Sequence, residues 1–413
     1  MLRLPLKTRF DPRSAIVLFM FVPAFSAIPY LYVGTIAIVA FYFASLCLFL
    51  LSALNKLELP KTSIIVYLII VVLVVIKVLT DVSEDGLRIG LGNTTSLILW
   101  GGVGLLVSGV SIDDPRMAIN YGYQCGWLSL IVLVCVIFVG GYGVTFNYMR
   151  FGYALLPVSL FAMAKISCDS KFKVFPYALL ISSTILLIIF GSRGSVLVLF
   201  LTLPMFVIAY GGWIGRSISA LVMTITLYLS SAFSESLNIV TSMLEAAGYE
   251  SYFLNKASMM VAGIDANTIS SGRLSIYSHA SSAIESSPLW GESFGFAYQV
   301  SGTDYLHNFI LDLVSNFGLI LSSMFLFMVA LLVFLYIRAS QNFASYAWIV
   351  VLCALGMGRL LFSSSIWLRP EFWFVFFFLL SSVIRDSKSS SKNTKIQLKT
   401  EVYKPIHEKR MIS

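Results

Sequence analysis

The chain has 413 residues, of which 58% are hydrophobic and only 12% charged, with a mean hydropathy of +0.88. A water-soluble globule cannot bury that much apolar side chain, so lipid is the solvent the composition demands. The formal charge of +8 is no nucleic-acid signature, because eight of the 28 Lys and Arg residues follow Ile384, and a basic tail of that kind reports orientation in a membrane. Cys47, Cys125, Cys135, Cys168 and Cys353 form no CxxC pair and have no His at ligand spacing, so neither a zinc site nor a disulfide framework is indicated, and no cofactor is expected.

In chain order, apolar runs divided by charged or turn-rich breaks predict twelve spans: 14–30, 33–53, 62–80, 94–111, 124–143, 149–164, 174–190, 195–211, 217–235, 307–336, 344–362 and 372–384. A bilayer requires about 20 mostly apolar residues per helix. The first two spans divide one stretch interrupted only by Pro23, Pro29 and Gly34, and the last is short. Arg3, Lys7, Arg9 and Arg13 precede the first run without a small-residue cleavage site, which predicts an uncleaved first span. The expected fold is all-α: a single polytopic membrane helical bundle over 1–413, with one large loop at 236–306 and a basic tail at 385–413.

An even number of spans puts both termini on one side, and the bases decide which. With both termini inside, the inner segments hold 20 Lys and Arg residues and the outer ones seven (Arg88, Arg150, Arg193, Lys256, Arg273, Arg359 and Arg369), while Lys77 falls within the third span. The long loop then lies outside, where function is to be sought. No internal repeat is evident, which argues against the inverted-repeat plan of many transporters.

Outer arginines run against the topological bias, so each asks for a reason. Arg193 lies in Phe190-Gly191-Ser192-Arg193-Gly194-Ser195 between two apolar runs. Flanking glycines permit close approach, and a guanidinium fork suits a phosphate bidentately. The plainer alternative is a turn arginine that snorkels to lipid headgroups. Arg273 lies in Ser270-Ser271-Gly272-Arg273-Leu274-Ser275-Ile276-Tyr277, whose Ser/Gly lead predicts a helix start with Arg273 and Tyr277 on one face. An anion there would feel the free amides of the helix N-terminus, although a solvated loop arginine would look the same in sequence. Pro288-Leu289-Trp290-Gly291-Glu292-Ser293-Phe294-Gly295 predicts a sharp reversal, and His307 then stands at the mouth of the tenth span. With an ordinary pKa near 6.5, a neutral imidazole can take a proton from a hydroxyl, or it can simply be an interfacial hydrogen-bonding group. His279 has no companion feature, and His407 lies in the inner tail.

Gly-Ser-Arg-Gly at 191–194, Ser-Gly-Arg at 271–273, Pro-Leu-Trp-Gly at 288–291 and His307-Asn308-x-x-Leu311 followed by Gly318 occur in an order that resembles the O-antigen polymerase and O-antigen ligase superfamily of bacterial envelopes. The resemblance extends to the plan of about twelve transmembrane helices, inner termini and one large periplasmic loop, and it implies a C-type glycosyltransferase-like fold in the inner (plasma) membrane. It implies that Arg193 and Arg273 grip the diphosphate of an undecaprenyl-diphosphate-linked oligosaccharide and that His307 is the general base on the acceptor hydroxyl. Asn308 and Tyr277 would neighbour the pocket, and Arg359 and Arg369 would line its mouth unless they form a local ion pair with Glu371. No family motif is recognised in the first 150 residues, so Arg88 and Arg150 receive no role.

The implied reaction is glycosyl transfer at the periplasmic face, with lipid diphosphate as the leaving group. Two arginines can balance its charge, and the outer loops contain no Asp-x-Asp, so metal independence is expected. The aromatics Trp290, Phe294, Phe296, Tyr298 and Tyr305 would stack on sugars or belong to an interfacial belt. A surface-polysaccharide polymerase is the favoured reading, with membrane lipid and the lipid-linked repeat as partners and room for a chain-length regulator and a flippase. The ligase of the same superfamily is the alternative, and a polysaccharide flippase or transporter is a lesser one.

Overall fold

The computed structural model describes residues 12–53, 58–81, 83–110, 115–139, 148–169, 174–210, 242–243, 246, 254–255, 258–259, 273–339 and 343–385. These are helices and turns, with no strand among the described residues. Helices α1 (Pro12–Phe25) and α2 (Ala27–Val33) meet at a 50° bend at Ser26, followed by α3 (Thr35–Ala53) and α4 (Lys61–Leu79). The next span runs from Glu84 to Ser108 as α5 (Glu84–Ser96), a π-turn at Leu97–Gly101 and α6 (Gly102–Ser108). Then come α7 (Pro115–Phe138), α8 (Tyr148–Cys168), α9 (Val174–Phe190) and α10 (Arg193–Tyr210). After the long loop follow α11 (Arg273–Ser286), α12 (Phe296–Ser301), α13 (Phe309–Ala339), α14 (Phe343–Ser363), a 3-10 turn at Ile366–Leu368 and α15, the helical stretch 370–385.

Eleven of the twelve expected spans fall wholly or mostly on described residues and are helical over most of that length; the span at 217–235 lies outside. Among the described residues, seven helices are long and apolar enough to cross a bilayer, or eight if the bent α1–α2 pair counts as one span, while α9 and the Gly194–Phe206 part of α10 are shorter apolar helices. The expected span at 94–111 begins ten residues earlier, at Glu84, because Ser83 caps α5 by accepting the Gly86 amide at 3.0 Å and Glu84 and Asp85 occupy the favourable first turn. Of the expected 236–306 loop, the stretch 273–306 and a few scattered earlier residues are described, and the tail beyond Arg385 is not.

The hub is α8, in which every residue from Phe151 to Ala164 is buried. Small residues let its neighbours approach: a side chain at Gly122 of α7 would strike the Phe161 ring, and Ser159 of α8 donates to Ser183 of α9 at 2.8 Å. Outward faces are the reverse of a soluble protein's. Ile65, Leu68, Ile69, Val72, Leu73 and Ile76 of α4 are all exposed, and in lipid such a face is solvated rather than sticky.

Contacts sort the charged residues to two ends. Arg385 donates to the carbonyls of Ser108 and Gly109, and Ser63, Ser108 and Ser381 join hydroxyls at 3.0 and 3.1 Å, which gathers the start of α4 and the end of α6 with the end of α15. Arg88, Arg150, Arg193, Arg273, Arg359 and Arg369, the arginines expected to share one side, belong to the opposite end.

Gly104 of α6 faces the Trp373 backbone, where an added Cβ would lie 2.6 Å from its carbonyl carbon, whereas one at Gly92 would meet nothing within 4 Å. Gly104→Ala should cost about 1–3 kcal/mol by overpacking and lower the thermal midpoint in detergent by several degrees. Gly92→Ala should leave the midpoint unchanged or raise it.

Candidate functional site

The site is built on a deliberate break in α13. Gly318 has φ +72° and ψ 176°, which ends the helical path at Phe317 and restarts it at Leu319. In an unbroken helix the Leu319 amide would donate to the Ser315 carbonyl. Instead the reversal after Pro288 inserts itself: Leu319 N–H donates to Pro288 O at 2.8 Å, and Glu292 N–H donates to Ser315 O at 2.5 Å. Both orphaned groups are thereby satisfied, as a membrane-embedded backbone requires. The two glycines are essential to the fit, since a Cβ at Gly318 would lie 2.1 Å from the Leu289 carbonyl oxygen and one at Gly291, itself at φ +69°, 2.6 Å from the Gly318 amide nitrogen.

The α4–α5 junction clamps the same turn. Lys77 Nζ donates to Trp290 O at 3.1 Å and Phe294 N–H donates to Asp81 Oδ2 at 2.9 Å. Phe294 is 1% exposed and packs edge-on against Phe317 at 5.6 Å and Trp367 at 6.2 Å, so it is core and not a sugar platform. Trp290, by contrast, is 76% exposed.

This turn and the break fix the short helical head 309–317 and, just before it, the His307 loop. Asn308 caps the head: its Oδ1 accepts the Ile310 and Leu311 amides at 3.0 and 3.4 Å. Its side-chain oxygen therefore serves the fold. His307 has φ +58°, the only non-glycine among the described residues in the left-handed region, at a cost of about 1–2 kcal/mol. Its ring meets Tyr305 edge-on at 4.7 Å, and its Nδ1 is buried without a hydrogen-bond partner among the described residues. Arg273 opens α11, as expected from its Ser/Gly lead, with Tyr277 one turn on and half-buried. Arg273 stands near enough to matter: burial lowers the His307 pKa below its ordinary 6.5, and the Arg273 charge lowers it further. At neutral pH the imidazole is therefore an uncharged base. His279 is exposed and contacts its own helix through Ser275 O at 2.6 Å.

Beside this loop lies a second cationic cluster. Arg359 stacks over the Tyr153 ring at 4.5 Å, Arg369 donates to Ser364 Oγ, and Tyr42 donates to Glu371 at 2.9 Å. Arg359, Arg369, Glu371 and Tyr42 lie within one another's electrostatic reach. The contacts shown by the structure thus favour a shared network over a simple Arg–Glu pair. Arg193 begins α10, where Ser192 caps by accepting the Ser195 amide at 3.2 Å, and Gly152 of α8 makes room for this Gly-Ser-Arg-Gly turn; the Arg193 side chain lies outside what the structure describes. Arg150 stacks on Tyr30 at 4.3 Å, and Arg88 pairs with Asp85 at 3.4 Å and covers Tyr298, which gives both local partners.

Segment 364–371 bridges the two clusters, because Ser365 Oγ donates to Asp312 Oδ2 in α13 at 2.7 Å while Arg369 and Glu371 follow directly. Next to it, between α4 and α13, is a cavity of about 380 Å³ walled by aliphatic and aromatic side chains, among them Val66, Leu73, Phe317, Met324, Phe325 and Trp367. Sequence reasoning gave no role to Asp312, Ser365, Lys77 or Asp81. Their signal was available only as polar residues inside or at the ends of apolar runs.

The His307 ring is expected to titrate below 6.5, and Arg273→Ala should move its midpoint upward, since removing a like charge makes protonation easier. Ring-proton NMR on a chain carrying His279→Ala and His407→Ala would follow it. A midpoint unmoved by the Arg273 change would mean the two side chains do not meet.

No curated protein matches this sequence. Residues 178–326, which run from α9 into α13 and include Arg193, Arg273, Tyr277, His307 and Asn308 but not Arg359 or Arg369, match the family model described as O-Antigen ligase. Over that stretch the chain is similar to the O-antigen ligase family, and the match supports the superfamily of O-antigen polymerases and ligases that its motifs resemble.

Proposed function

We propose that the chain is a surface-polysaccharide polymerase that moves a growing glycan from its undecaprenyl diphosphate carrier onto the next lipid-linked repeat unit at the periplasmic face of the inner membrane. The observation that carries this reading is the Arg273 charge acting on a neutral, partly buried His307 at the entry to α13, a helix whose Leu313 and Phe317 line an apolar cavity against α4. A lipid diphosphate presents two chemistries, an anionic head and an isoprenoid tail, and these features answer both. The tail lies in the cavity between α4 and α13, and the diphosphate lies against Arg273 and Arg193.

In the reaction the acceptor hydroxyl gives its proton to His307 and attacks the anomeric carbon, while the bond to the diphosphate oxygen breaks and the leaving group carries the electron pair away. Arginine charge balances what develops on that oxygen. Arg359 and Arg369 flank the same mouth and extend its positive field.

The ligase reading uses the same residues, and the family match favours neither. Glycan profiles of a deletion strain separate them: single-repeat lipopolysaccharide marks the polymerase, polymer stranded on its lipid carrier marks the ligase, and an unflipped lipid-linked unit marks a transporter. In complemented strains at equal membrane abundance, His307→Ala should lose about 10²–10⁴-fold in transfer, and Arg273→Ala or Arg193→Ala about 10²–10³-fold. Long chains retained in all three variants would sink the assignment. Transfer by the purified enzyme should also persist in excess EDTA, because the positive charge at the leaving group comes from arginine. Activity abolished by EDTA and restored by Mg²⁺ would contradict it.

A further inference from the structure

Asp312 is 4% exposed, and among the described residues neither of its contacts is a cation: Oδ1 accepts the Leu306 amide at 3.4 Å and Oδ2 accepts the Ser365 hydroxyl at 2.7 Å. A buried carboxylate balanced only by neutral donors costs several kcal/mol, so its presence asks for a reason that packing does not give. Both donors point to the same reason. Leu306 is the buried residue whose carbonyl forms the peptide bond to His307, and His307 is held in the left-handed region at φ +58°. Ser365 precedes the 3-10 turn that delivers Arg369. Asp312 itself stands on the head of α13, one turn beyond the Asn308 cap. One side chain therefore ties the His307 loop, the helical head and the Arg369 segment together.

We propose that Asp312 is a positioning residue for the reaction at His307, and this rests on reading His307 as the base. By gripping the Leu306 N–H, Asp312 anchors the residue that precedes His307 and so restrains the backbone from which the imidazole projects. By gripping Ser365, it sets the distance from that base to the arginine-bearing segment 364–371. It takes no proton from substrate, and it acts through geometry, where a displacement of about 1 Å costs about 10²-fold in rate.

The test uses the full-length chain in proteoliposomes with a lipid-diphosphate-linked repeat unit as donor and acceptor, separating kcat from KM. Asp312→Ala should lower kcat about 10²-fold and leave the donor KM within about threefold. Asp312→Asn should recover most of that loss, because its amide oxygen still accepts from Leu306 and its NH₂ can donate to the Ser365 hydroxyl, which can turn to accept. Ser365→Ala, which removes one of the two ties, should lower kcat several-fold. Equal losses in the Ala and Asn variants would overturn the proposal, as would an Asp312→Ala enzyme with a wild-type kcat. If Asp312→Ala does not reach the membrane, the Asn and Ser365→Ala variants carry the test, and a wild-type kcat for Ser365→Ala overturns it. A fully active His307→Ala enzyme would instead remove the base assignment and Asp312's role with it, an outcome distinct from an inactive His307→Ala beside an active Asp312→Ala.

Discussion

Every backbone amide and carbonyl at membrane depth needs a partner, and at Gly318 that requirement shapes the whole functional end of the molecule. Interrupting α13 leaves one N–H and one C=O without each other. The Pro288–Gly291 turn supplies a carbonyl to the first, and Glu292 supplies an amide to the second. A segment that would otherwise be a surface loop becomes part of the bundle, because leaving it undocked would strand two polar groups in an apolar setting. Everything named as functional on that side, His307 with its cap and Arg273 on the helix leading into the turn, takes its position from this splice.

The splice also explains the division of labour among the aromatics. Phe294, Phe317 and Trp367 form the floor beneath the turn, and their burial makes the docking favourable beyond its two hydrogen bonds. Asp81 and Lys77, at the end of α4, hold the rim of the turn from the other side. Two covalently remote parts of the chain, the α4–α5 junction and the entry to α13, are thus welded before any ligand arrives.

The membrane class was legible because it rests on composition, and the helices were legible because lipid forces apolar runs of a set length. The order of the motifs carried the site: Arg273 begins a helix where Ser270-Ser271-Gly272 announced one, and its charge reaches His307. What escaped was anything that depends on pairing across the chain. Gly318 and the Pro-Leu-Trp-Gly turn were visible as separate motifs, but nothing in one dimension says that one plugs the other. Asp312 was invisible for the same reason, since a single acid in an apolar run acquires meaning only from the Leu306 amide and Ser365 beside it. Phe294 was misjudged because an aromatic near a site reads alike whether it points to solvent or to core.

The docked turn also acts as a ruler along α13. Because the turn engages the helix at Ser315 and Leu319, the splice fixes positions counted back from Gly318, and Asn308, Asp312 and Gly318 all lie within that one measured interval. Adding a residue between Asn308 and Gly318 would rotate the cap by about 100° relative to the break and carry His307 off the face that meets Arg273. Adding one at Gly302, where a side chain would meet nothing within 4 Å, would only lengthen the turn between Phe294, held by Asp81, and Leu306, held by Asp312. Spacing is therefore rigid on one side of His307 and elastic on the other, and divergence in length between related chains should accumulate on the elastic side.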